Sequence, residues 1–348
     1  MGFSNDSSYN IGLTETFCYE SVSGSCKKFA RPFSLQFFMF FLLGLIIVLT
    51  MSGNLLVITS IAHFKQLHTS TNYLILSLAM CDFLLGAFVM PCSAVRSVTG
   101  CWYMGDFLCK LHTSTDIMLS TSSIFHLSFI SVDRYFAVCD PLMYRTLINS
   151  AAVLIMLTIS WLVPAIFAYG LIFSGLNVKG SEDFFEAHVQ CFGGCPVFFS
   201  RAAAVVSSTF SFFIPSLIIL SIYLKIYVVA RHQARSIKDM TQKFQMPKEN
   251  KVSSVSRQQE RRGAKTLAIV VGVFLICWAP FFLSNIIGPF IGYSIPKMLT
   301  DATVWFGYLN SAFNPMVYAF LYTWFRKALR IIICGEIFHR NSCRLQLH

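Results

Sequence analysis

Apolar residues along the chain fall in separate runs, each close to the roughly 20 residues that an α-helix needs to cross a hydrocarbon core. Seven such runs cover about 36–62, 72–97, 107–138, 151–173, 203–229, 266–290 and 298–321, the fifth interrupted by serines. Most polar stretches between them are short. Two are long, at about 174–200 and 230–262, the latter rich in Lys, Arg, Gln and Ser. The pattern predicts an all-α membrane protein. A seven-transmembrane helix bundle occupies 36–322, between a polar segment at 1–35 and a tail at 323–348. In that tail Phe325, Ala328, Leu329, Ile332 and Ile333 recur at helical spacing, with Arg326, Lys327 and Arg330 between them. This predicts a short amphipathic eighth helix on the inner leaflet, with Cys334 at its end as a palmitoylation candidate.

Composition and charge sharpen this picture. Only 12% of the 348 residues are charged and the mean hydropathy is +0.62, whereas soluble domains carry about 25% charged residues. An odd number of spans puts the termini on opposite sides, and Lys/Arg placement says which is which. With the N-terminus outside, the outer pieces hold Lys27, Lys28, Arg31, Arg96, Lys110, Lys179, Arg201 and Lys297, balanced by eight acids. The other nineteen Lys/Arg fall inside, eleven of them between Lys225 and Lys265. The net charge of +11 is therefore an inside charge rather than a nucleic-acid footprint. Segment 1–35 lacks the apolar core of a signal peptide, so the first span is expected to do the targeting. Asn5-Asp6-Ser7 is a glycosylation sequon on the expected outer side. Cys18, Cys26, Cys101, Cys109, Cys191 and Cys195 also fall outside, where disulfides persist; six cysteines allow fifteen pairings. No C-x₂-C pair occurs and the eight histidines are scattered, which argues against a zinc site.

Three aspartates lie in spans, where an acid costs roughly 2.5–3.5 kcal/mol on insertion scales and therefore usually faces the interior with a task. Asp116 and Asp133 share the third span, about 25 Å apart along a helix axis, so they need separate explanations. Asp116 has Ser120 four residues on and Thr113 three back, on one helical face. No Lys or Arg is expected at its depth, so an external organic ammonium is the natural partner. Asp133 opens Asp133-Arg134-Tyr135 at the inner end. Arg134 is expected to pair with Glu260 across the bundle, a contact whose rupture would make a two-state switch; an ordinary interfacial ion pair is the plainer reading. Asp82, in the middle of the second span, shares its expected depth with Ser123, Asn310, Ser311 and Asn314. That set suits a sodium ion or water, or equally a hydrogen-bonded helix staple.

An ammonium site also needs an apolar surround. Pro280 in CWAPFF removes a helix hydrogen bond and places Trp278, Phe281 and Phe282 at a hinge. Tyr308, Phe198 and Phe199 are candidates to complete an aromatic cage, and Ser207, Ser208 and Ser211 to meet a ligand's far end. Serines also pack membrane helices closely.

The motifs together resemble the rhodopsin-like G-protein-coupled receptors: Gly53-Asn54, LAMCD, Asp133-Arg134-Tyr135, Trp161, CWAP, and Asn314-Pro315 through Tyr318. HFKQLH, VRSVTGCWY and NSAFNPMVYAFLYTWF are similar to the trace amine-associated receptors, most of all to their first subtype. Ser70 and Thr323 stand where that family has prolines, and Ala279 where the first subtype has a cysteine. The resemblance implies a plasma-membrane receptor for primary arylethylamines such as phenethylamine and tyramine. It also implies coupling to the stimulatory G protein that raises cyclic AMP; in the mechanism expected here, the Arg134–Glu260 pair breaks and the G protein enters beside Arg134, Tyr223 and Tyr318. It further implies disulfides Cys109–Cys195, Cys18–Cys191 and Cys26–Cys101. A catecholamine or serotonin receptor is the alternative on the same fold, helped by the three serines. An amine-gated channel or transporter is the rival from another class, and the lack of internal repeats counts against it. An enzyme is not expected, since no nucleophile–base pair or metal cluster appears.

Overall fold

The computed structural model describes residues 16–243, 249–321, 323–338 and 342, with the side chains of 145, 230, 233–243, 249–267, 318, 320, 321, 323 and 338 outside the description. In a bilayer every backbone polar group must be satisfied internally, and helices do this within one segment. The chain accordingly forms α1 (Phe33–His63), then α2, which runs Ser70–Leu84, passes through a π-turn at Leu85–Val89 and continues over Met90–Thr99. Next come α3 (Gly105–Cys139), the short α4 (Pro141–Leu147) and α5 (Ser150–Phe173). A short α6 (Glu182–His188) precedes α7, which runs Arg201–Ser208, a second π-turn at Thr209–Phe213, and Ile214–Lys243. The last elements are α8 (Glu249–Phe290), α9 (Lys297–Leu321) and α10 (Thr323–Ile333). Side-chain oxygens start several of them: Thr69, Asn149 and Ser200 accept from the amides of Asn72, Ala152 and Ala203, the usual N-cap arrangement.

Two polar stretches expected as loops carry helix. The 174–200 stretch holds α6, and the described parts of the 230–262 stretch, up to 243 and from 249, are extensions of α7 and α8. Extending an existing helix avoids the nucleation cost, and Gln, Lys, Arg and Glu are good helix formers.

α3 lies at the centre, packed against α2, α5, α7 and α8, while α1 and α9 close the bundle and α10 packs on both. Five helices are long and apolar enough to cross a membrane by length and composition alone; among the described helices, α3 and α9 are not. The reason is position. α3 buries Ser114, Ser120, Thr121, Ser122, Ser123, His126, Ser131 and Asp133 inside the bundle. The outer surface is instead apolar, with Phe33, Phe37, Phe41 and Val48 of α1 strongly exposed, as expected of a face turned to lipid. α10 buries Trp324, Phe325 and Ala328 while exposing Arg326 and Lys327.

Interhelical staples are polar. Trp161 Nε1 donates to Ser77 Oγ at 2.8 Å, and Ser77 Oγ also meets His126 Nε2 at 2.7 Å, joining α5, α2 and α3. Asn54 Nδ2 donates to the carbonyls of Thr50 and Ser311, 2.9 Å each. A Cβ on Gly53 would stand 3.0 Å from Pro315 Cβ, so this glycine permits the α1–α9 approach.

Candidate functional site

Near the disulfide-bearing end of the bundle a cavity of about 60 Å³ is enclosed by α2, α3, α7, α8, α9 and the segment before α7. That is a few waters' worth of space. Asp116 is half-buried on its wall. Its Oδ2 accepts the Tyr308 hydroxyl at 2.7 Å and its Oδ1 accepts Ser120 Oγ at 3.4 Å. Tyr308, fully buried, is itself backed by Ser93 Oγ at 3.4 Å. Thr113, Ser120, Phe199, Ser207 and Ser211 line the same space.

Aromatic rings face the carboxylate. Trp278 lies edge-on to Phe281 at 5.9 Å and to Tyr308 at 6.4 Å between ring centroids, and near Phe282 at 5.8 Å. Phe282 stacks on Phe212 at 4.7 Å. Trp278, Phe281, Phe282 and Tyr308 line the space together with Phe199. Pro280 lies inside α8 between two of them. A Cβ on Gly307 would meet the Trp278 ring at 2.7 Å, so glycine at this position of α9 is what lets the indole lie there.

Two expected members are elsewhere. Phe198 stacks on Tyr293 at 4.7 Å in an adjoining chamber, because Phe199 is the one of the pair turned inward. Ser208 is buried but accepts Asn285 Nδ2 at 3.0 Å, directed at α8 rather than at the cavity. Ser207 and Ser211, four residues apart, line the cavity, whereas Ser208, one position round the helix from Ser207, does not. Ser211 lines the cavity and accepts Thr121 Oγ1 at 3.1 Å, leaving its own proton to donate. Ser207 Oγ donates to the Ala204 carbonyl at 3.3 Å. Sequence reasoning missed Ile117, Thr121, Val197, Asn285 and Val304. Helical spacing from Thr113, four and eight residues on, would have found Ile117 and Thr121; the others depend on tertiary packing. It also missed Arg96, counted as an outer charge but buried on α2 and lining the same cavity.

Deeper in the bundle, the fully buried Asp82 accepts Ser123 Oγ (3.2 Å) and Ser311 Oγ (2.7 Å) on Oδ1 and Asn314 Nδ2 (2.7 Å) on Oδ2. Asn310 is buried alongside without a hydrogen bond to this group among the described residues. At the far end Asp133 Oδ2 accepts Thr71 Oγ1 (2.7 Å), Arg134 Nε (2.8 Å) and Arg134 Nη2 (2.6 Å), and Oδ1 accepts the Tyr144 hydroxyl (2.8 Å). Arg134 also donates to Thr71. Burial and the Asp133 carboxylate push the Tyr144 phenol above its ordinary value, which keeps it a donor. Tyr135 and Tyr223 each pack against the cluster of Val138 and Ile226. Pro315 lies inside α9. The Glu260 and Tyr318 side chains and the whole of Asn5 lie outside the described residues; Cys334 is an exposed free thiol just past α10.

Three disulfides fix the lid. Cys109–Cys195 (Cα–Cα 5.6 Å) ties α3 to the segment carrying Val197 and Phe199. The other two pairs correct the pairing implied by resemblance: they are Cys18–Cys101 and Cys26–Cys191, with Cα–Cα distances of 5.6 and 5.1 Å. Backbone pairing decides it. Ser25 and Phe192 form a parallel bridge and Cys26 N donates to the Phe192 carbonyl at 2.9 Å, which places Cys26 beside Cys191. A side chain at Gly194 would collide with Cys26 Sγ, 2.5 Å from the Cβ position.

Residues 53–318 match the 7 transmembrane receptor (rhodopsin family) model. The chain is 56% identical to trace amine-associated receptor 1 of Macaca mulatta, over 95% of this chain and 98% of that protein. It is 54% identical to the human receptor of the same name, over 95% and 97%. With trace amine-associated receptor 4 of Rattus norvegicus the identity is 49% over 95% of each. The chain therefore belongs to the rhodopsin family of seven-transmembrane receptors, a family of multi-pass membrane receptors rather than enzymes, and within it to the trace amine-associated receptors.

Proposed function

We propose that this receptor binds primary arylethylamines such as phenethylamine and tyramine, and signals through the stimulatory G protein to raise cyclic AMP. The carrying observation is Asp116: a carboxylate on a cavity wall, given one strong hydrogen bond by Tyr308 and a long one by Ser120, facing Trp278, Phe281 and Phe282. An ammonium supplies the missing charge, and the aryl ring meets the aromatic wall. Micromolar affinity needs about −8.2 kcal/mol. For a ligand the size of phenethylamine that is roughly −0.9 kcal/mol per heavy atom, below the ceiling of about −1.5 for the best small ligands. So small a ligand needs the ion pair.

The amine bridges Asp116 to the Trp278–Phe281–Phe282 wall, and α8 swings at its far end about Pro280. Arg134 is then released from its present partners and from Glu260, opening a G-protein surface beside Tyr223 and Tyr318. The N-terminus faces outward at the plasma membrane, in keeping with the inward excess of Lys and Arg. The Asp82 carboxylate with the Ser123 and Ser311 hydroxyls is a set of hard oxygen donors that fits sodium; these residues would hold the ion between α2, α3 and α9.

A second reading is a catecholamine receptor, favoured by the Ser207, Ser211 and Thr121 hydroxyls at the cavity's far end. Cyclic AMP in transfected cells, with phenethylamine, tyramine, dopamine and serotonin on wild type and Asp116→Ala, separates the two. A rise led by phenethylamine or tyramine and lost in the variant supports the first; one led by dopamine supports the second. A variant that responds at wild-type concentrations would overturn the ammonium site.

A further inference from the structure

Arg96 is a guanidinium of five N–H donors, 6% exposed, whose hydrogen bond is a long one, Nη1 to the Cys195 carbonyl at 3.4 Å. Among the described residues no carboxylate oxygen lies within 4.0 Å of it. It lines both the Asp116 cavity and a second chamber of about 280 Å³, and Val197, Phe199, Phe281, Asn285 and Val304 are likewise shared by the two. The second chamber adds Lys297 and Asp301. Lys297 Nζ sits 4.9 Å over the Phe29 ring, and among the described residues it too has no carboxylate within 4.0 Å. Asp301 offsets one of the two positive charges, and its Oδ2 is buried without a hydrogen bond. The chamber wall is therefore net positive.

That sign is wrong for a plain ammonium corridor. Like charges in a low-dielectric recess repel strongly, and a buried charge lacking a partner is costly. Guanidinium's fork, by contrast, matches a carboxylate in two-point geometry. We infer that the second chamber is a carboxylate site, with Arg96 as its principal donor and Lys297 as support, placed to hold an anionic group while an amine occupies Asp116. The carboxylate comes either from the amine ligand itself, on an arm at its ammonium end, or from a separate small anion. The inference rests on the ammonium reading of Asp116.

The test uses the full-length receptor purified in detergent, with affinities from ligand-dependent melting, so that G-protein coupling does not enter. The probes are phenylalanine and N-(2-carboxyethyl)phenethylamine, each against its own methyl ester, with phenethylamine alone and with sodium propionate. On wild type at least one acid is expected to bind about tenfold or more tighter than its ester, the size of a modest charge-assisted contact. The ratio of acid to ester should fall to near one in Arg96→Gln and partway in Lys297→Gln. Ratios taken within one variant cancel any general loss of binding, and Arg96→Lys should keep part of the preference if charge is what counts. If instead only propionate tightens phenethylamine, and only when Arg96 is present, the chamber takes a separate anion. An acid no better than its ester with no propionate effect, or a preference that survives Arg96→Gln, overturns the carboxylate site while phenethylamine binding keeps the amine reading intact. If phenethylamine itself does not shift melting, both fall together.

Discussion

Asp116 and Asp133 stand on one helix and are finished in opposite ways. An ionised carboxylate offers about four lone-pair sites. Asp133, with no exposure, accepts four donors, from Thr71, two nitrogens of Arg134 and Tyr144, all within 2.8 Å. Asp116, half-buried, has one short bond from Tyr308 and one of 3.4 Å from Ser120. The protein supplies a cation to Asp133 and a cavity to Asp116. Asp82 lies between them in character, with three bonds from neutral donors. A carboxylate completed by its own protein stabilises a conformation, whereas one left short at a cavity waits for a partner from outside.

The sharpest break of this contrast is Asp116→Ala. Removing one partner of a buried charge pair costs about 2–5 kcal/mol, or some thirty- to several-thousandfold in affinity. Amine response should disappear while surface expression, read by antibody on intact cells, holds. Asp133→Asn should do the reverse. It strips the charge opposite Arg134, which is 16% exposed, and weakens a charge-assisted set by about 1.5–3 kcal/mol. Melting should fall and ligand-free cyclic AMP rise at matched expression, with amine affinity little changed. Loss of amine binding in this variant as large as in Asp116→Ala would erase the distinction between the two acids.

Most of the bundle was legible because lipid imposes long helices, α3 and α9 included, although polar residues of both face the interior. Asp116 was legible as an acid at helical spacing from Ser120. The Cys18 and Cys26 partners were not, because four nearby cysteines can pair in more than one way and a single backbone bridge at Ser25–Phe192 decides among them. Nor was the division among the fifth-span serines, because the tertiary contact from Asn285 is what engages the Ser208 hydroxyl. Arg96 escaped because its charge suggested an outer position, while the fold of α2 turns it inward.

Gly307→Ala tests whether the aromatic wall opposite Asp116 is as specifically built as the acid itself. The added carbon would fall 2.7 Å from Trp278 Cε3 and Cζ3, so the indole must move, at a cost typical of overpacking, about 1–3 kcal/mol. Amine potency should drop by about tenfold, whereas Gly272→Ala in α8, with open space around its Cβ, should leave it unchanged. Equal responses in the two variants would mean that the Trp278 position does not matter to the ligand.

The smallest expected effect carries the same contrast of committed and uncommitted groups to the other end of the ligand. Ser211 accepts from Thr121 and faces the cavity with a proton to give, whereas Ser208, which does not line it, is engaged by the cavity-lining Asn285. A neutral hydrogen bond contributes about 0.5–1.5 kcal/mol net. Ser211→Ala should therefore cost tyramine about two- to tenfold in affinity relative to phenethylamine, which has no hydroxyl to lose. Ser208→Ala should shift both amines together, through the Asn285 contact, and leave their ratio where it was. Radioligand displacement of the pair on each variant reads this directly. A tyramine-selective loss in Ser208→Ala and none in Ser211→Ala would show that the hydroxyl turned toward α8, rather than the one turned toward the cavity, is the one the ligand reads.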